Sequence, residues 1–235
     1  QPSLADWLAA RIDVPFDWGP PQRDIAAAAD GGDAPALART LRQWRSKLML
    51  HTIARDLTGR ADLAEVCAGV TTLADVAIDA AVRLHHRALA ADFGEPVGAE
   101  SSAPQALVVV GMGKLGGAEL NVSSDVDLVF LYAEDGDTDG PRQLSNREFF
   151  ERLGRRVIAA LHEITADGFE FRVDMRLRSY GESGPLAVPF SALEQYLITQ
   201  GRTWERYAWL KARALTGGAD AALAEIVTPF VFRKY

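Results

Sequence analysis

The chain has 235 residues, 48% of them hydrophobic and 24% charged, and its 32 acidic side chains outnumber 25 basic ones for a net charge of −7. That length suffices for a substantial core in one or two domains, and the negative balance argues against a nucleic-acid phosphate backbone as the main partner, although a local basic patch can still hold phosphate. The single cysteine, Cys67, excludes an internal disulfide; no apolar run approaches the roughly 20 residues of a membrane span, and Gln1-Pro2-Ser3 opens no signal peptide, so a cytoplasmic place without membrane attachment is expected.

The first hundred residues read as helical. Ser3 caps a short helix with Leu4, Trp7 and Leu8, after which Pro15 and Pro20-Pro21 interrupt. Asp33 is a candidate cap for a helix that tolerates Pro35 in its first turn and runs to Leu57, with Leu37, Leu41, Trp44, Leu48, Leu50 and Ile53 near helical spacing and Gly59 as a stop. Two further helices are expected, over about 61–68 and 72–93, the first holding Cys67 as a packed thiol. His85 and His86 on the second lack a carboxylate at ligand spacing and read as packed or surface residues. Gly94 to Pro104, with two prolines, two glycines and two serines, reads as a linker, dividing a helical region (1–103) from the rest of the chain.

From Leu107 to Tyr132 a glycine-broken turn joins two strands. Val108 to Gly111 closes one apolar run, Gly113, Gly116 and Gly117 crowd the turn, and Ser123-Ser124-Asp125-Val126-Asp127 opens a second run, Leu128 to Tyr132. Such β-branched runs bounded by glycine read as strands buried on both faces. Residues two apart in a strand share a face, so Asp125 and Asp127 point one way while Val126 and Leu128 enter the core. Read alone, Asp125-x-Asp127 fits either a hard-oxygen metal site or a turn cap beside an arginine pair.

Beyond an acidic loop, Ser145 and Glu148 form a capping box for a helix striped with Phe149, Phe150, Leu153, Val157, Ile158 and Leu161, ending near Gly168. Residues 169–178 then alternate, Phe169, Phe171, Val173, Met175 and Leu177 on one side and Glu170, Arg172, Asp174, Arg176 and Arg178 on the other. The polar side is either a surface ion-pair ladder or, if this strand lies beside the Asp125 strand, a third carboxylate flanked by arginines suited to phosphate oxygens. Ser191 and Glu194 propose another capping box, and Thr203 a cap for the next helix, with Trp204 and Tyr207 read as core ahead of base-stacking groups and Lys211 and Arg213 as solvated charges ahead of substrate contacts.

Three clustered carboxylates repel one another and are sensible around a divalent cation. Such a site suits phosphoryl or nucleotidyl transfer, with the glycine-turn amides, Lys114 and the hydroxyls of Ser123 and Ser124 around the phosphates.

Gly113, followed by Asp125-x-Asp127 and a later strand bearing Asp174, resembles the nucleotidyltransferase fold shared with DNA polymerase β. The fuller string from Gly111-Met112-Gly113-Lys114-Leu115-Gly116-Gly117 through Glu119-Leu120-Asn121 to Asp127 is similar to the bifunctional glutamine synthetase adenylyltransferase family, as are Arg172 to Arg178, Gly181-Glu182-Ser183-Gly184-Pro185-Leu186, Trp204-Glu205-Arg206-Tyr207 and Lys211-Ala212-Arg213. The likeness covers about Arg39 to Tyr235 and is strongest from Val108 onward.

The resemblance implies an α+β fold, a mixed sheet with flanking helices, having its catalytic core over 104–190 and a helical segment over 191–235 packed on it. It implies Asp125, Asp127 and Asp174 as ligands of Mg2+, with Mn2+ as the other candidate, and Gly113, Lys114, Ser123, Ser124, Arg172 and Arg176 around nucleotide and phosphate. Partners implied are glutamine synthetase as protein substrate, phosphate, an adenine nucleotide and, through the full-length enzyme, a PII-type signalling protein. Asp174-Met175-Arg176-Leu177-Arg178 with Gly181-Glu182-Ser183-Gly184-Pro185 is similar to the half that removes AMP by phosphorolysis, releasing ADP. Ser179 departs from the family's usual proline, which loosens that turn without touching a carboxylate. The chain has no initiator methionine and stops within its pattern at Tyr235, so a piece of a longer enzyme is expected. Forward transfer of AMP from ATP, or a silent module of this fold that senses a nucleotide or a signalling protein, remain alternatives.

Overall fold

The computed structural model describes residues 3–232; Gln1, Pro2 and the tail at 233–235, which the likeness to the family also spans, lie outside the described residues. Its helical opening comprises α1 (Leu4–Ala9), α2 (Gly19–Asp30), α3 (Ala34–Leu57) and α4 (Leu63–Phe93). Ser3 does cap α1, accepting from Asp6 N while Asp6 accepts from Ser3 N. The prolines at 20 and 21, expected to interrupt, instead start α2, because a residue in the first turn needs no intrahelical N–H. α3 has the expected span, though Asp33 makes no side-chain capping bond. The two helices expected over 61–68 and 72–93 are one, since Val70 and Thr71 are buried mid-helix and packing outweighs their modest helical propensity. His85 is packed, its imidazole pushed down to about 4 mainly by burial, and His86 Nε2 lies 2.7 Å from Glu95.

The expected linker carries β1 (Pro96–Gly98), which pairs antiparallel with β4 (Gly136–Thr138). The main sheet contains β2 (Val108–Met112), β3 (Val126–Tyr132), β5 (Val173–Asp174), β6 (Ala187–Pro189) and β7 (Arg213–Ala214). Its order is β5-β3-β2-β7, with β6 beside the later part of β3. β2 runs antiparallel to β3 and β7, whereas β5 and β6 run parallel to β3. Between these lie the one-turn helix α5 (Gly113–Gly116), α6 (Asn146–His162), α7 (Phe190–Thr199), α8 (Thr203–Trp209) and α9 (Asp220–Val231). The segment after 191, expected to be helical, therefore also supplies a strand, and Arg213 sits on it rather than on a helix. α7 starts at Phe190 without a side-chain cap from Ser191, and α8 takes Arg202 as its cap residue.

Alternation along β2 and β3 explains the layers. Val109, Val126, Leu128, Phe130 and Tyr132 join one cluster with α2, α3, α4 and α6, while Val108, Val110, Met112, Val129 and Leu131 join another with α7, α8 and α9. The sheet is thus sandwiched, and the first cluster runs without interruption from Ile25 to Ala187. α6 comes closest at Gly154, where a Cβ would stand 2.7 Å from the Phe130 ring.

The segment 169–178 departs most from expectation. Only Val173 and Asp174 are strand, and a turn begins at Arg176. Glu170, placed by alternation on the solvent side, is fully buried, and neither carboxylate oxygen has a hydrogen-bond partner among the described residues. Burial pushes its carboxyl up to about 8, which Arg45 and Arg42 oppose only in part. Arg42, itself buried, donates to Ala38 O, Ala160 O, Glu163 O and Gly168 O, tying α3 to the end of α6 and the turn that leads into β5.

Glu170 makes a pH prediction. Its folded pKa is raised from 4.5 to about 8, so its cost is absent in acid and grows across that interval as the unfolded chain ionises first. Glu170→Gln should flatten the fall in stability between pH 5 and pH 8 and leave the variant the more stable at pH 8. Urea melts at the two pH values check this; parallel losses in both proteins would refute it.

Candidate active site

Two parallel strands deliver the acidic side chains. Val126 pairs in register with Val173, and both pack toward the first cluster; Asp127 pairs in register with Asp174. Register partners in a parallel pair share a face, so Asp127 and Asp174 lie side by side on the face of α7, α8 and α9. Asp125 lies in the loop immediately before β3, two residues ahead of Asp127, and is exposed.

The three carboxylates differ in environment. Asp127 is half-buried, and burial, with Asp174 and Asp125 nearby, holds its carboxyl above the usual range against a smaller pull from Arg176. It accepts no hydrogen bond from any described residue. Asp174 is held below the usual range by the Arg176 guanidinium, which forks onto it with Nε 2.8 Å and Nη2 2.5 Å from Oδ2; Arg176 N also donates to Oδ1 at 2.8 Å. Asp125 is paired with Arg172, whose Nε is 2.5 Å from Oδ1 and whose Nη2 donates to Ser123 O at 3.0 Å.

With the two outer carboxylates turned onto arginines, no three His, Cys, Asp or Glu side chains among the described residues converge as a ready metal cage. The donor chemistry nonetheless fits a hard divalent cation: the available oxygens come from carboxylates on adjacent strands, and the central one is an ill-matched anion whose repulsion a cation would relieve.

Gly113 closes the floor. Its φ of +54° is a left-handed conformation, and a Cβ there would stand 3.0 Å from Asp127 Oδ2, so backbone shape and space both call for glycine. Lys114 is exposed on α5 with no ion pair among the described residues. Ser123 and Ser124 are organised by Asn121, whose Oδ1 accepts from both hydroxyls at 3.1 and 2.9 Å and from Ser123 N at 3.1 Å. The hydroxyls thus stabilise their own loop.

Several supporting residues have no signal in the sequence because they act across long separations. His162, at the end of α6, accepts from Val173 N at 3.0 Å and anchors β5 beside Asp174. Arg213 makes a two-pronged pair with Asp75 of α4 at 3.0 and 3.1 Å and donates to Leu115 O, while Lys211 pairs with Glu119 at 2.6 Å. Both residues were expected to be solvated charges; Arg213 is instead a tie between α4, α5 and β7. Trp204 and Tyr207, expected in the core, are 51% and 76% exposed, and Trp209 fills the core place instead.

Asp127→Asn keeps the shape and removes the central negative charge. In EDTA it should melt above wild type by a margin that widens from acid toward neutral pH, because the cost of the raised carboxyl appears only on ionisation. It should also lose any rise in melting temperature produced by Mg2+. Equal Mg2+ responses in the two proteins would rule out Asp127 as a ligand. Gly113→Ala should cost about 1–2 kcal/mol through the left-handed φ and, by pushing on Asp127, reduce turnover by about tenfold or more; unchanged turnover would show that the close approach is unimportant.

The family model described as glutamate-ammonia ligase adenylyltransferase matches residues 4–226. Curated relatives carrying the name bifunctional glutamine synthetase adenylyltransferase/adenylyl-removing enzyme include one from Nitrosomonas eutropha, 56% identical over 86% of this chain and 22% of its own length. The Nitrosomonas europaea protein is 50% identical over 100% of this chain and 26% of its own, and the Pseudomonas aeruginosa protein 53% identical over 89% and 22%. The chain therefore spans about a quarter of the length of these relatives. With a family model matched along nearly its whole length and relatives at half identity or better, the chain belongs to the glutamate-ammonia ligase adenylyltransferase family.

Proposed function

We propose that this chain is an adenylyl-removing nucleotidyltransferase unit, which takes AMP from an adenylylated tyrosine of glutamine synthetase by phosphorolysis and releases ADP. The observation that carries the reading is the in-register pairing of Asp127 with Asp174, with Asp125 at the mouth and Gly113 beneath. In this reading the fold is the one shared with DNA polymerase β, with 1–103 as a helical region, 104–190 as catalytic core and 191–235 as a segment packed on it. The direction is supported by Asp174-Met175-Arg176 and Gly181-Glu182-Ser183-Gly184-Pro185, which are similar to the removing half of the family. The setting is cytoplasmic, with a PII-type protein acting through the full-length enzyme; among the described residues no helix is long and apolar enough to cross a membrane.

Asp125, Asp127 and Asp174 would hold Mg2+, or Mn2+ in its place, and the bound cation supplies Lewis acidity to phosphoryl oxygens. Arg172 and Arg176, both exposed, carry two roles: each pairs with a carboxylate now and presents N–H donors to phosphate oxygens when substrate arrives. Lys114, with the Gly113 turn and the loop of Ser123 and Ser124, borders the same place and adds positive charge for the incoming phosphate. In the reaction an oxygen of inorganic phosphate bonds to the adenylyl phosphorus as the bond from phosphorus to the tyrosine oxygen breaks. A phenol has a pKa of about 10, so it leaves readily and takes a proton from solvent without a histidine acid. The chain's contribution is therefore orientation and charge.

Incubation with adenylylated glutamine synthetase, Mg2+ and phosphate should release ADP only when phosphate is present. AMP release would indicate hydrolysis, and label passing from ATP to unmodified glutamine synthetase without phosphate-dependent ADP would indicate the forward transferase. A rise in melting temperature with nucleotide and Mg2+, but no turnover in either direction, would indicate the silent sensing module.

A further inference from the structure

A cavity of about 510 Å3 lies beside Arg176, between the turn after β5 and the helices α7 and α8. That volume is within the range of small-molecule sites, roughly 300–1,000 Å3. Arg176 belongs to both places, lining the cavity while its guanidinium grips Asp174. The cavity and the carboxylate site thus meet at Arg176.

Its walls are built and charged. Tyr180 adopts a left-handed conformation, φ +63°, uncommon for an aromatic residue, and its ring meets the ring of Tyr196 edge-on at 4.6 Å. Tyr196 donates to the buried Glu205 at 2.7 Å, and Glu205 also accepts from Arg202 N at 2.7 Å, so the carboxylate in the wall is already engaged. Arg178 is held by Met175 O and Glu182 O, its Nε buried without a partner, and neither Arg178 nor Arg202 is within ion-pair distance of a carboxylate among the described residues. The lining therefore has cations to spare. Trp204 also lines it, yet is 51% exposed, as is Tyr180 at 56%, an unusual outlay of aromatic surface for a charged cleft. Excess guanidinium beside open aromatic faces suits a ligand that is planar at one end and anionic at the other.

We propose that this cavity is the nucleoside subsite: it takes the adenosine of the adenylyl group, and of product ADP, with the Trp204 indole as the stacking face for the base and Arg178 and Arg202 toward the phosphate end. The assignment rests on the phosphorolysis reading for the identity of the nucleoside, but the cavity itself does not depend on the direction of transfer. Stacking of a base on an aromatic side chain is worth about 1–3 kcal/mol by alanine substitution.

Calorimetric titration of ADP into the chain tests it. Trp204→Ala should weaken ADP binding by about 5- to 150-fold, the equivalent of that stacking range, while Trp204→Phe should recover most of the loss. Ribose 5-phosphate, which lacks the base, should bind wild type and Trp204→Ala alike. Because Trp204 is half exposed, both variants should melt with wild type, which separates loss of a contact from loss of the fold. Equal ADP affinity in wild type and Trp204→Ala, or an equal loss of ribose 5-phosphate binding, overturns the subsite. A chain that binds ADP through Trp204 but releases no phosphate-dependent ADP from adenylylated glutamine synthetase would keep the subsite and discard the phosphorolysis reading.

Discussion

Two carboxylates set side by side on neighbouring strands repel each other, and the structure is arranged to hold Asp127 and Asp174 there in spite of that. The force that fixes them is hydrophobic register. Val126 and Val173 are committed to one buried cluster, and Val129 and Leu131 to the other; a slip of one residue would carry valine to the polar side and aspartate into the core. Arg176 and Arg172 then lessen the repulsion by pairing with the outer carboxylates, leaving the central one without a pairing partner among the described residues and only weakly offset by Arg176. In the proposed reaction the same guanidinium groups that make the cluster tolerable also receive the phosphate, so that stability and recognition draw on one set of side chains.

The helical layer shares in this positioning. Arg42 on α3 spends its buried donors on carbonyls of α6 and of the turn before β5, and Arg213 on β7 reaches across to Asp75 on α4. Bonds of this kind make a charged residue structural: removing Arg42 would strand buried carbonyl acceptors, a larger penalty than losing an exposed ion pair, whereas removing Arg213 would unpair a half-buried Asp75. The buried cluster shared by α2, α3, α4, α6 and the sheet backs the carboxylate-bearing strands from the face opposite Asp127 and Asp174.

Much of this was legible. Strands β2 and β3 announced themselves as β-branched runs, Gly113 and the aspartates by spacing, and α3 and α6 by period and breaks. What was not legible had a physical reason in each case. The prolines that looked like an interruption occupy the one part of a helix, its first turn, where a missing N–H costs nothing. The long alternation at 169–178 shrank to two strand residues because Glu170 is drawn inward beside Arg45 and Arg42, and Leu177 packs into the opposite cluster from Phe171. Trp204 and Tyr207 looked like core residues on composition alone, and only the packing reveals that Trp209 took that place. His162 and Arg213 act across contacts that no local pattern encodes.

The brevity of β5 has a thermal consequence. A strand of two residues has few ladder bonds of its own, and it is kept in place by Val126 N donating to Arg172 O, by Val173 N donating to His162 and by Arg42 holding Gly168 O. Such a seam can open without disturbing the sandwiched sheet or the long helices behind it, as the least stable part of a fold commonly does. Heating should then uncouple one carboxylate from the other two while the helices are still intact, so that the activity proposed for them fades below the temperature at which the molecule as a whole denatures.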